Sequence, residues 1–227
     1  MIWLLFLAIV LAAVYLPSWW VKKTMAKYSQ PDDRYPSTGA DLARHLLDQA
    51  GLGRVTVETT DQGDHYDPMD KVIRLAPDRF HGRSLTAVTV AEHEVGHALQ
   101  DAGHYAPLKL RTRLVRVVRP LERIGAGVLM GAPLLALVLR LPSAGLLMMA
   151  GGLLALGTST LVHLVTLPTE FDASFGRAMP LLEQDGVLIR GDGPHARRIL
   201  KAAALTYVAV SLVSLLNIAR WWALLRR

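Results

Sequence analysis

The decapeptide AEHEVGHALQ, residues 91–100, sets His93 and His97 four positions apart, with Glu94 directly after the first. On a helix this spacing stacks both imidazoles on one face, a turn apart, so each can direct a ring nitrogen at the same ion. Glu94 then lies about 100 degrees round the helix from His93, beside such an ion and not on it. A general base that takes a proton from water on a metal must stand there. The chemistry on offer is zinc-assisted hydrolysis. The spelling HExxH also recurs by chance, so its context has to be examined.

Context begins with a third ligand, because a catalytic zinc keeps three protein ligands and one open position. An HExxHxxGxxH arrangement needs glycine at 100 and histidine at 103. The chain has Gln100 and Gly103 there, and His104 is off by one. Glu122 is the nearest downstream glutamate, but it borders an apolar run and has Ala126 one turn on. Glu170 is the better candidate. It is the first carboxylate after a long apolar region, and Pro168 can open a helix just before it, with Thr166 or Thr169 near the cap. Asp172 and Ser174 follow closely enough to orient a ligand from behind. The chain has no cysteine, which excludes disulfides, thiolate ligands and a cysteine nucleophile.

The elements that must position these residues sit in a chain of 227 residues, 52% hydrophobic and 19% charged. That is apolar for a soluble domain, and a membrane reading follows. The formal net charge of +6 then marks cytoplasmic loops and lipid-facing edges, and no nucleic-acid partner is expected. The opening run MIWLLFLAIVLAAVYLPSWW has no basic residue before it and is followed by Lys22, Lys23 and Lys27, so residues 1–20 read as an uncleaved transmembrane anchor. The charge rule places residue 21 onward in the cytoplasm.

Residues 21–118 read as the catalytic domain. STGADLARHLL, 37–47, predicts a short amphipathic helix capped by Ser37 or Thr38. RVTVETT, 54–60, and KVIRLAP, 71–77, predict strands meeting in a small hairpin or sheet edge across the turn-rich DQGDHYDPMD. The HExxH helix is predicted over about 84–102, from a capping Ser84 to Gly103. Glu92, Glu94 and Gln100 make it a buried helix and not a span. Residues 119–167 read as two transmembrane helices broken at Arg140–Ser143. Residues 168–201 read as a helix and loop bearing the third ligand, and 202–225 as a transmembrane or membrane-lying helix with Trp221 and Trp222 at the interface. The expected fold class is a mainly α membrane protein, with about four transmembrane helices and a small α+β domain at the membrane surface.

The stretch DHYDPMDKVIRLAPDRFHGRSLTAVTVAEHEVGHALQDAGHYAPLKLRTRLVRVV, residues 64–118, resembles the bacterial YugP-like membrane zinc metallopeptidases, the neutral zinc metallopeptidase family. TLPTEFDASFGRA, 166–178, resembles the second signature block of that family. The resemblance implies an integral protein of the bacterial inner (plasma) membrane whose zincin-like domain holds a gluzincin-like site: His93, His97 and Glu170 as ligands of one Zn2+ per chain, and Glu94 as catalytic base. Members of the family often carry proline where this chain has Arg116 and asparagine where it has Asp172.

The expected reaction is hydrolysis of peptide bonds in membrane or membrane-associated proteins, so the expected partners are such a substrate and the lipid bilayer. Adaptor subunits and oligomeric state are not legible. His65 and Tyr66 in DHYDP are candidate substrate-binding residues, because a strand edge beside a zincin site commonly receives an extended peptide. A turn histidine bonded to its neighbours is the plainer reading of His65. His163, in an apolar run, reads most simply as bonded to a neighbouring helix. Two alternatives remain. A site-2-type intramembrane protease expects the HExxH helix itself to span, which Glu92, Gln100 and Asp101 oppose. A non-catalytic zinc-binding scaffold would have no need of Glu94.

Overall fold

The computed structural model describes residues 2–139, 165–184 and 186–206, together with positions 150, 151, 154, 157, 158, 162, 208 and 209. Its contacts divide the chain into two units: Met1–Pro17 with Leu110–Thr166 and Tyr207–Arg227, and Ser18–Lys109 with Leu167–Thr206.

The first unit takes in most of helix α1 (Ile2–Lys27) and of helix α5 (Ala106–Leu139). The expectation of about four transmembrane helices is overturned: among the described residues, no helix is long and apolar enough to cross a membrane. The physical reason lies in where polarity falls along each helix. In α1 the apolar run from Ile2 stops at Pro17 and Ser18, and Lys22, Lys23 and Lys27 take the final turns. In α5 the arginines at 111, 113, 116, 119 and 123 all precede Ile124, and the apolar stretch after them is described only as far as Leu139, short of the roughly 20 residues a bilayer core requires. The expected break at 140–143, His163, and the pair Trp221 and Trp222 lie outside the described residues, as does the Glu122 side chain.

The second unit is mostly helical around a small mixed sheet. Helix α2 (Gly39–Gln49) starts at a capping box: Thr38 Oγ1 accepts from the Asp41 N–H at 3.1 Å, and the Asp41 carboxylate accepts from the Thr38 N–H at 3.3 Å. Its Leu42, Ala43, Leu46 and Leu47 recur at helical spacing and are buried. The strands are β1 (Thr56–Thr59), β2 (His65–Asp67) and β3 (Val72–Leu75), in the order β1-β3-β2. The predicted hairpin between the first and last of these is therefore corrected. β1 runs parallel to β3, and the turn-rich stretch supplies its own edge strand, β2, antiparallel to β3. Asp67 Oδ1 accepts from the N–H groups of Met69 and Asp70 at 2.8 and 3.3 Å, and Lys71 adopts φ 56°, which closes the β2–β3 turn. Parallel neighbours need a crossover connection, and the stretch 60–71 that carries β2 supplies it.

Helix α3 (Pro77–Phe80) leads to α4 (Leu85–Ala102), capped by Ser84, whose Oγ accepts from the Ala87 N–H at 3.1 Å. α4 is buried on nearly every side: Val88, Val90, Ala91, Val95 and Ala98 join the core with Leu46, Leu47, Ile73 and Leu75. The chain returns through α6 (Leu167–Phe171), a π-helical segment (Asp172–Ala178), α7 (Met179–Gln184) and α8, helical over 193–206. Leu182, Ile199 and Leu200 complete the core. At the head of α8, Asp192 accepts from Arg34 Nε and Nη2 at 2.7 Å each and from the Tyr35 hydroxyl at 2.5 Å. Burial pushes the Asp192 carboxyl upward, but these bonds outweigh it and hold the carboxyl below its usual range.

Candidate metal centre

α4 brings His93 and His97 together by its own pitch. Their rings lie edge to face, 4.8 Å apart between centroids and 76° between planes. Glu170 arrives from α6, where Pro168 sits near the start and supplies a φ suited to a first turn. Its Oε2 lies 3.3 Å from His93 Nε2 and 3.3 Å from His97 Nε2, and the three candidate ligand atoms all fall within 4.8 Å of one another. All three residues are buried, Glu170 to 1% exposure.

Close approach of the two ligand-bearing segments depends on Gly96. A β-carbon there would stand 2.6 Å from the Ala173 carbonyl oxygen, so only glycine lets the π-helical segment lie this near α4. A π segment directly after the third candidate ligand is itself notable, since such segments concentrate at functional sites.

The outer ring nitrogens have partners. Ser174 Oγ donates to the Leu200 carbonyl at 3.3 Å, which leaves its oxygen to accept from His93 Nδ1–H at 3.0 Å. His97 Nδ1–H donates to Gln100 Oε1 at 2.9 Å. The Gln100 amide donates in turn to the Thr169 carbonyl and to Asp172 Oδ2, both at 2.8 Å, and Arg177 Nε donates to the same Asp172 oxygen at 2.9 Å. With protons on both Nδ1 atoms, both Nε2 lone pairs face the Glu170 carboxylate.

Three electron-pair donors converging in a buried space fit a divalent cation. Two imidazole nitrogens and a carboxylate suit zinc, and bonds of about 2.0–2.1 Å in tetrahedral array need neighbouring ligand atoms about 3.3–3.4 Å apart. The two separations of 3.3 Å satisfy that requirement. Glu94 is 5% exposed, on the same helix and next to His93.

Of the other candidates, Ser174 reaches the candidate ligand His93 directly, and Asp172 reaches Gln100, which bonds the candidate ligand His97. His65 and Tyr66 are not brought to the cluster by any bond they make. His65 Nδ1 bonds the Gly63 carbonyl at 2.9 Å, the local turn contact. The Tyr66 hydroxyl donates to Asp101 Oδ2 at 2.7 Å, an oxygen that Lys71 also engages. Burial, then the Asp101 bond, raises the Tyr66 hydroxyl pKa above its usual value and keeps it protonated. His104, at φ 55°, closes the turn after α4. Sequence reasoning missed Gln100 and Gly96. Gln100 lies three residues past His97, on the same helix face. Gly96 sits inside a helix, where a glycine costs stability unless packing requires it.

The site and the chain-wide comparisons agree on a class. Residues 2–226 match the model of the family described as "Putative neutral zinc metallopeptidase", and the chain belongs to that family. It is 37% identical over 225 residues to a Bacillus subtilis (strain 168) protein described as "Putative membrane protease YugP", covering 96% of this chain and 95% of that one. No solved structure matches.

Proposed function

We propose that this protein is a membrane-associated zinc endopeptidase that binds one Zn2+ through His93, His97 and Glu170 and hydrolyses peptide bonds of membrane or membrane-associated proteins. The observation that carries the reading is the convergence of His93 Nε2, His97 Nε2 and Glu170 Oε2 in a buried cluster, with both Nδ1 atoms bonded outward. When bound, zinc supplies Lewis acidity that polarises a carbonyl oxygen and brings the pKa of water toward about 7. Glu94 accepts the proton of the attacking water and returns it to the leaving amine. Gln100 and Ser174 keep the two imidazoles in the tautomer that presents Nε2 inward. Burial of Glu170 and both histidines keeps bulk water from competing for these positions.

Membrane association is supported by the relative's description as a membrane protease and by apolar side chains left exposed. Leu5, Tyr15 and Leu16 are exposed on α1, and Leu110, Val117, Leu121 and Ile124 on α5. We place the site at the cytoplasmic face of the bacterial plasma membrane. Lys22, Lys23 and Lys27, and the arginines at 111, 113 and 116, would each gain about 1 kcal/mol near its anionic lipids.

The test is a quenched-peptide library offered to the zinc-loaded chain and to Glu94→Gln. The parent cleaves and Glu94→Gln does not, while both hold one zinc by metal analysis. A parent that binds no zinc ends the reading.

A further inference from the structure

We infer that Gln100 is a positioning residue: its buried carboxamide fastens the helix carrying His93 and His97 to the segment carrying Glu170, and selects the His97 tautomer. This rests on the zinc reading above. Gln100 has no exposed surface, and both polar atoms of its amide are hydrogen-bonded. The nitrogen has two hydrogens and two acceptors, the Thr169 carbonyl and Asp172 Oδ2, both at 2.8 Å. Neither acceptor has a proton to offer, so the nitrogen must face them and the oxygen must face His97. Turned over, the amide would set its oxygen against both acceptors.

The amide's orientation is thus decided by the Glu170 side of the site, and it in turn decides where the His97 proton sits. An oxygen 2.9 Å from His97 Nδ1 requires the proton on Nδ1, which leaves Nε2 unprotonated toward Glu170 Oε2. Thr169 is adjacent to Glu170 and Asp172 is two residues beyond it, so the same group also sets the height of Glu170 against α4. Arg177 steadies the far end through Asp172. One side chain therefore couples two ligands that lie 73 residues apart in sequence.

The test measures zinc affinity of the full chain by competition with a chromophoric chelator, together with the absorption spectrum of the cobalt form. Gln100→Leu keeps the volume and removes all three bonds. It is expected to weaken zinc about 10- to 100-fold and to shift the cobalt bands. Gln100→Glu retains the acceptor for His97 but loses both donors, and is expected to fall between parent and Gln100→Leu. Val88→Ala, a buried change on the opposite face of the same helix, controls for general destabilisation and keeps the parent affinity and spectrum. Parent affinity and an unchanged spectrum in Gln100→Leu overturn the inference while leaving the zinc reading intact. If Gln100→Leu does not fold, Gln100→Glu decides: parent affinity and spectrum there overturn the coupling of the two segments. Absence of zinc from the parent would instead sink the reading beneath it.

Discussion

Two buried carboxylates in one unit, Asp192 and Glu170, are held in opposite ways. Asp192 meets a guanidinium through two bonds and a tyrosine hydroxyl through a third, so the chain itself balances its charge. Glu170 meets two imidazole nitrogens at 3.3 Å, whose protons are drawn to the far side of each ring by Gln100 and Ser174. The first arrangement is complete when the chain folds. The second gathers three potential ligand atoms in one buried place, a set that fits a divalent cation. The Asp192 carboxylate is held by a cation of the chain itself, whereas the Glu170 carboxylate stands beside two imidazoles in a metal-ligand spacing.

The contrast is sharpest in variants that lose function while keeping structure. Glu94→Gln is expected to lower peptide hydrolysis about 10²- to 10⁴-fold, with zinc content and melting temperature at parent values. Hydrolysis at the parent rate would remove Glu94 from the reaction.

Next in size is the response to zinc itself. A hundredfold excess of zinc over its Kd stabilises the folded chain by about 2.7 kcal/mol, and chelation reverses this. Glu170→Ala should lose that increment, whereas Tyr35→Phe should keep it. Thermal melts with and without zinc check both, and equal responses from the two variants would erase the distinction between the carboxylates.

Gly96→Ala places a methyl group against the Ala173 carbonyl, 2.6 Å away before relaxation. It is expected to cost about 1–3 kcal/mol and to weaken zinc binding, because the segment that must shift directly follows the helix carrying Glu170. Urea unfolding and chelator competition read the two effects, and unchanged zinc affinity would disconnect Gly96 from the centre. Tyr35→Phe, at the other carboxylate, is expected to cost about 1–3 kcal/mol through the lost bond to Asp192. Its zinc affinity should stay at the parent value.

The smallest effect concerns acid. The folded pKa of Asp192 lies below its ordinary value of 3.8, so the stability it contributes is fully present above that pH. It is lost as pH falls from about 3.8 through the lowered folded value. Urea unfolding of the zinc-free chain between pH 5 and pH 3 should show this decline, and Asp192→Asn should flatten it. An undiminished slope in that variant assigns the acid sensitivity to other groups.

What could be read ahead of the structure was local. His93, Glu94 and His97 were legible because helical pitch alone places residues four apart on one face, and Ser84 and Gly103 bounded that helix by their capping chemistry. The helix over 37–47 was visible for the same reason, and its cap resolves to Thr38. Glu170 was reached from its place after the long apolar region and from the resemblance of 166–178 to the family's second block, not from local spacing. The misreadings were of pairing and of extent. Two strand-like runs suggested a hairpin, but a third strand hidden among turn residues makes them parallel neighbours. Apolar runs suggested four spans, and no described helix is long and apolar enough for one.

By itself, the order of residues determined the helix that presents two imidazoles and an adjacent carboxylate, because backbone geometry over one turn is a short-range property. Only the tertiary structure decided that Gln100 would join His97 to Thr169 and Asp172, that Gly96 would let Ala173 come close, and that Glu170 would complete the cluster. These depend on segments 69 or more residues apart meeting across a packed core, and neither spacing nor propensity encodes which buried donor will find which acceptor.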